Sequence, residues 1–296
     1  VKEKLTPEGL VLYNTERHST LRFSPEETKL LFKKEVAEDY PSPEVVHLEI
    51  ANRCNLACPY CYVGAKTGKE LTTGQWFQII RRLANFGVFQ ITFGGGEPTM
   101  REDLVALAAF TRSCAVNLTM TTNGTRLATF TAEDLSHFNQ VNVSLHSVNG
   151  QPLQSLDTAL GILQDYKVPR GINFCLSKEY LDIVPNLMDI AKKREASVLF
   201  LTYKPVNGDY ENQITPEEVF RIAESYKDAG VSIYADGLTC RTCYGSKRFC
   251  DIDSVGNVYI CSFIRKPVGN VLQEDIYDIW NKRPKEVECP YGKSND

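Results

Sequence analysis

Three cysteines, Cys54, Cys58 and Cys61, fall within the stretch "ANRCNLACPYCY" at residues 51–62. Thiolates grouped this tightly select zinc or an iron–sulfur cluster. A closed structural zinc site would supply a fourth Cys or His close by, yet the nearest downstream candidates are Cys114 and His137. Three protein ligands therefore leave one iron of a four-iron cluster open to a ligand from outside the chain. A second group, Cys240, Cys243, Cys250, Cys261 and Cys289, gathers toward the C-terminus, while Cys114 and Cys175 stand alone. The N-terminal "VKEKLTPEGL" is charged and has no apolar signal core, so the chain is expected to be cytoplasmic and its clustered cysteines metal ligands rather than disulfides. A start at Val1 rather than Met points to missing N-terminal residues.

The elements that carry these cysteines alternate. Apolar, β-rich runs at 45–51, 90–95, 117–124, 140–147, 171–177 and 197–206 are separated by helix-period stretches at 72–87, 101–113, 153–166 and 180–196. Strands alternating with helices give βα units and a parallel sheet. Six strands predict an α/β fold, a partial (β/α)6 TIM-like barrel, with the first three cysteines just beyond the first strand, at the barrel mouth where such folds hold their chemistry. Residues 1–44 form an N-terminal arm with a strand pair and a helix that Ser24 and Pro25 open. Residues 207–230 read as a bridging loop and helix. Residues 231–296 read as a small cysteine-rich module that needs a metal to hold it.

The composition narrows the function. The 296 residues are 43% apolar and 24% charged, with a net charge of −4 and no Lys/Arg run, which argues against nucleic-acid and membrane partners. The apolar runs are strand-sized, so none spans a bilayer.

"NRCNLACPYCY", with an aromatic before its last Cys, resembles the signature of the radical S-adenosylmethionine (SAM) superfamily. The resemblance implies that Cys54, Cys58 and Cys61 hold a [4Fe–4S] cluster whose open iron is chelated by SAM, with Tyr60 beside it. "FGGGEP" at 93–98 resembles the superfamily's GGE motif, which implies that Gly94, Gly95, Gly96 and Glu97 receive the SAM amino group. Glycines let a backbone approach a ligand closely, and a carboxylate accepts from an ammonium. Thr122 or Asn123, in "TTNG", is expected near SAM by the same resemblance, Ser144 at its ribose or carboxylate, and Ser177 at its carboxylate. His146 is as readily a structural histidine as a substrate contact. Strand alternation turns Asn173, Cys175 and Ser177 to one face, so Cys175 is expected in the lumen, either as a packed thiol or as a hydrogen-atom donor.

The segment 240–263 resembles the SPASM/Twitch extensions of this superfamily, Cys243, Gly256 and Cys261 keeping their spacing. The full SPASM cysteine run is lacking, so the shorter Twitch form is implied, with one auxiliary [4Fe–4S] cluster on Cys240, Cys243, Cys261 and Cys289, and Cys250 as the alternate. The resemblance implies reductive cleavage of SAM and hydrogen abstraction from a substrate. The substrate is expected to be a ribosomally made peptide or protein side chain, crosslinked, epimerised or oxidised. The alternative is a small molecule of cofactor or natural-product biosynthesis. A low-potential flavodoxin or ferredoxin is the implied electron donor. A non-catalytic iron–sulfur electron-transfer protein is the reading from another class, and SAM binding separates the two.

Overall fold

Charged as it is, the N-terminal segment begins with a strand. The computed structural model describes residues 1–17, 19–64, 68–145, 152–205, 208, 210–237, 240 and 243–291. β1 (Lys2–Thr6), β2 (Gly9–Asn14) and β3 (Ser19–Phe23) form an antiparallel sheet in that order, followed by α1 (Pro25–Phe32). The arm thus has three strands where a pair was expected. Lys4 of β1 is buried, its ammonium donating to the carbonyls of Ser42 and Pro43 at 3.3 and 2.8 Å and lying 4.4 Å from the centre of the Phe89 ring. Ser24 caps α1 in a complete capping box with Glu27.

The βα alternation then runs β4 (Val45–Ala51), α2 (Thr73–Asn85), β5 (Gln90–Gly95), α3 (Leu104–Ser113), β6 (Asn117–Thr122), α4 (Ala132–Ser136), β7 (Gln140–Ser144), α5 (Pro152–Asp165), β8 (Arg170–Leu176), α6 (Val184–Lys193) and β9 (Ser197–Thr202). Strands β4 to β9 pair in sequence order and all in parallel. Apolar residues such as Leu48, Phe93, Phe174 and Phe200 are fully buried in the core with Trp76 and Leu83 of α2. Each such side chain contributes about 1.5–3 kcal/mol of burial. The opposite strand face is polar, with Thr92 bonded to Thr119 at 2.8 Å and Gln140 to Asn142 at 2.7 Å. That is the inner wall of a partial (β/α)6 barrel, with all strand C-termini at one mouth.

The sheet does not stop where the alternation does. α7 (Pro216–Ser225) packs on β9 and on β10 (Ile233–Ala235), and β10 pairs with β9 in parallel. The segment expected to be a bridge is therefore one more βα unit, and the boundary expected at 231 falls within the sheet. On the other edge, β11 (Phe249–Ile252) pairs with β4 in parallel, and β12 (Asn257–Tyr259) and β13 (Gly269–Asn270) follow antiparallel. α8 (Ile276–Asn281) latches this region onto the loop before β4, Trp280 Nε1 donating to the Tyr40 carbonyl at 2.7 Å. Among the described residues no helix is long and apolar enough to cross a membrane.

Candidate metal and cofactor site

The cysteine loop leaves β4 between two anchors. Arg101, 8% exposed, donates to the carbonyls of Ile50 and Leu71 and pairs with Asp103. Asn52 donates its N–H to Glu70 at 2.7 Å and accepts from Ser254 at 2.5 Å. The glycines of the next strand bring the loop close. Gly96 N–H donates to the Ala51 carbonyl at 2.7 Å and Glu97 N–H to that of Arg53 at 2.8 Å. A Cβ on Gly96 would stand 2.2 Å from the Arg53 carbonyl oxygen, and one on Gly94 2.2 Å from His47 Nε2. These glycines are therefore required by close packing.

Glu97 is buried at 1% and joins two strand ends. Its Oε1 accepts from Thr99 N–H at 3.0 Å, Thr99 Oγ1 at 2.6 Å and Thr122 Oγ1 at 2.7 Å, and its Oε2 accepts from Asn123 N–H at 2.8 Å. A carboxylate has about four lone-pair sites. Oε1 is filled, and an ammonium could be accepted only at Oε2. Thr122, expected near the ligand, is 2% exposed and spent on this clamp, while the Asn123 amide donates to Asn55 Oδ1 at 2.9 Å and so supports the cysteine loop.

Cys54, Cys58 and Cys61 lie close enough for their charges to act on one another. Burial raises the Cys58 thiol to about 11, with the charges of Cys61 and Cys54 adding to it, and burial likewise raises Cys54. Three thiolates here need a cation. Ligands of one tetrahedral zinc lie about 3.8 Å apart, given Zn–S bonds of about 2.3 Å. Among the described residues, the group of three ligating side chains whose atoms all lie within 4.8 Å of one another is His47, Glu49 and Asp251, not these thiols.

The lumen beside the loop holds the remaining candidates. Tyr60 packs edge-on to Tyr203 at 6.2 Å, and burial raises its phenol, with Cys58 and Cys175 adding to the effect. Cys175 shares the inner face with Asn173, as alternation requires, and burial pushes its thiol up to about 11. Ser144 is half-buried at the end of β7, whereas Ser177 is buried at 2%. His146 lies outside the described residues.

In the C-terminal region the structure brings Cys243, Cys261 and Cys289 together. Burial raises Cys261, and the charges of Cys243 and Cys289 raise it further, while Phe263 N–H donates to its sulfur at 3.4 Å. Cys240 is exposed, its thiol 3.8 Å from the Ala235 carbonyl. Cys250 is fully buried in the apolar core, paired with Val46 across β11 and β4, so the alternate ligand points away from the other cysteines' surface position.

One polar group escaped the sequence reading. His47 Nδ1 lies 3.0 Å from Asp251 Oδ2, and Arg265 grips Glu49 through both oxygens at 2.6 and 3.0 Å. The alternation of "VVHLEIA" already places His47 and Glu49 on the polar face of β4. Their partners are about two hundred residues away, and nothing local announces them.

A family model described as the Radical SAM superfamily matches residues 48–198, and one described as an iron-sulfur cluster-binding domain, SPASM, matches residues 240–288. An AdoMet-dependent heme synthase of Methanosarcina barkeri is 25% identical, over 85% of this chain and 90% of its own. A PqqA peptide cyclase of Rhodopseudomonas palustris is 30% identical, over 55% of this chain and 48% of its own. The crystal structure of Streptococcus suis SuiB bound to precursor peptide SuiA superposes with a TM-score of 0.78 at 14% identity, covering 96% of this chain and 88% of that one.

Proposed function

Since the chain belongs to the radical SAM superfamily, we propose that Cys54, Cys58 and Cys61 hold its SAM-binding [4Fe–4S] cluster and that its substrate is a peptide. Cys243, Cys261 and Cys289, with Cys240 as the fourth ligand, would hold the auxiliary cluster. When bound, the cluster and SAM supply one-electron cleavage to a 5′-deoxyadenosyl radical that removes a hydrogen atom from substrate.

The observation that carries this reading is the convergence at one mouth of the three-thiol loop and the glycine-rich end of β5, tied by backbone bonds from Gly96 and Glu97 to Ala51 and Arg53. The backbone of Gly94 to Gly96 offers polar groups to the SAM amino group, with Glu97 Oε2 behind them. Ser144 is open to a ribose or carboxylate oxygen, and Tyr60 covers the loop from the lumen side. Cys175 remains a protonated thiol near neutral pH, the form in which it could return a hydrogen atom. A low-potential flavodoxin or ferredoxin is the proposed electron donor.

The peptide reading is supported by the arm. β3 pairs only with β2, and its other edge is exposed from Ser19 to Arg22 among the described residues. An antiparallel edge accepts an extended peptide by strand addition. The SuiB likeness covers enough of the chain to reach into this arm. A small-molecule substrate is the second reading, favoured by the heme synthase, which the chain matches along 90% of its length.

The test is anaerobic reconstitution followed by mass spectrometry for 5′-deoxyadenosine. We expect about eight irons per chain, four for each cubane. Changing Cys54, Cys58 and Cys61 together to Ala should halve the iron and abolish SAM cleavage, and retained cleavage would refute the assignment. A candidate peptide encoded by a short neighbouring reading frame should then change in mass. SAM cleavage without that change would favour the small molecule.

A further inference from the structure

The barrel wall between the two cysteine groups carries a second ligand set. His47 and Glu49 project from β4 into the lumen, and β11 sets Asp251 directly opposite His47 in the parallel register. One ligating atom from each of the three lies within 4.8 Å of the others. All are shielded from bulk water, the side chains of His47, Glu49 and Asp251 being 12%, 2% and 0% exposed.

Two observations indicate that the set is incomplete as a network of its own. Asp251 Oδ1 is buried and has no hydrogen-bond partner among the described residues, although Oδ2 of the same carboxylate meets His47. A buried acceptor left unpaired points to an absent ion or water. Second, among the described residues two buried carboxylates face one guanidinium, that of Arg265, whose ion pair is with Glu49. Arg265 uses two of the roughly four lone-pair sites of the Glu49 carboxylate and leaves the others free. The ring of His47 is fixed from both sides, by Asp251 at Nδ1 and by Gly94, where any Cβ would collide with Nε2.

We infer that His47, Glu49 and Asp251 bind a divalent first-row cation of the Mn2+ or Fe2+ type in the barrel lumen, separate from both iron–sulfur sites. The 3.0 Å between His47 Nδ1 and Asp251 Oδ2 is also the edge of an octahedron with bonds of about 2.1 Å. One imidazole and two carboxylates suit such ions, whereas thiolates draw zinc and cluster iron elsewhere. Three protein ligands leave open positions facing the lumen, where the ion would polarise a substrate oxygen.

The experiment is equilibrium binding of Mn2+ to the anaerobic, cluster-loaded chain, with free Mn2+ read by electron paramagnetic resonance. Mn2+ is chosen because it competes poorly for thiolates. The wild type should bind one Mn2+ per chain. Asp251→Asn and His47→Gln should each weaken that site at least tenfold at unchanged iron content. Glu49→Gln is avoided because it would strand Arg265. No binding by the wild type would overturn the inference and leave a proton on His47 as the charge partner of Asp251. Equal binding by the wild type and both variants would overturn it as well, by putting the ion elsewhere.

Discussion

Glu97→Gln separates a clamp from a ligand contact. The side chain keeps its shape, but one acceptor oxygen becomes a donor NH2. Two of the four donors on Glu97 are backbone N–H groups, from Thr99 on Oε1 and Asn123 on Oε2, and neither can turn away. The hydroxyls of Thr99 and Thr122 can rotate. The best placement puts the amide oxygen at Oε1 and the NH2 against Asn123 N–H, leaving two donors face to face in a site 1% exposed. A buried group left unsatisfied costs about 1–3 kcal/mol, and loss of the charge-assisted bonds adds to it. We expect a total of about 2–4 kcal/mol. At about 2–4 °C per kcal/mol for a large domain, the apparent Tm should fall by about 4–16 °C. The assay is anaerobic thermal unfolding at matched iron content, with SAM binding measured in parallel. Thr122→Val, which removes a rotatable donor and no charge, should cost about 1 kcal/mol. A Gln variant as stable as the wild type, with SAM affinity alone reduced, would refute the clamp.

Cys250→Ser should destabilise the fold by about 1–3 kcal/mol, because the hydroxyl enters an apolar core without a partner, at unchanged iron content. Cys261→Ala should instead lose the auxiliary iron, and chemical iron analysis of the two variants checks both. Burial lowers Lys4 to about 7 from 10.5, so the unfolded chain binds more protons there between those values and stability from this group rises with pH across that window. Lys4→Met should remove that component, seen as a wild-type-minus-variant difference in urea unfolding free energy that grows from pH 7 to pH 10.

The barrel was legible because its signal is local. β4 and β5 run over 45–51 and 90–95, as the apolar runs indicate, and helix-period stretches fall between strands as the packing requires. The elements missed have the opposite character. β1 looks like a charged tail because its buried Lys4 is solvated by carbonyls 38 and 39 residues away. α4 is five residues long, too short for a periodic pattern. Cys54, Cys58 and Cys61 could be singled out by spacing alone. The distinction between Cys250 in the core and Cys261 beside Cys243 and Cys289 depends on β11 pairing with a strand some two hundred residues earlier, and no neighbouring residue carries that information. Glu97 was readable as important but not as a crosspiece, since the donors that make it one, Thr122 Oγ1 and Asn123 N–H, come from the end of the next strand.

The pairing of β11 with β4 also orders the chain in time. The ribosome makes Val45–Leu48 long before Phe249–Ile252, so until the latter emerge the first barrel strand has one bare edge of unpaired backbone groups. Such edges invite pairing with other chains. A nascent or prematurely ended chain stopping short of residue 249 would carry all of β4 to β9 and still display that sticky flank. The strand that seals β4 is thus made about two hundred residues after it, and the hazard persists until β11 has emerged.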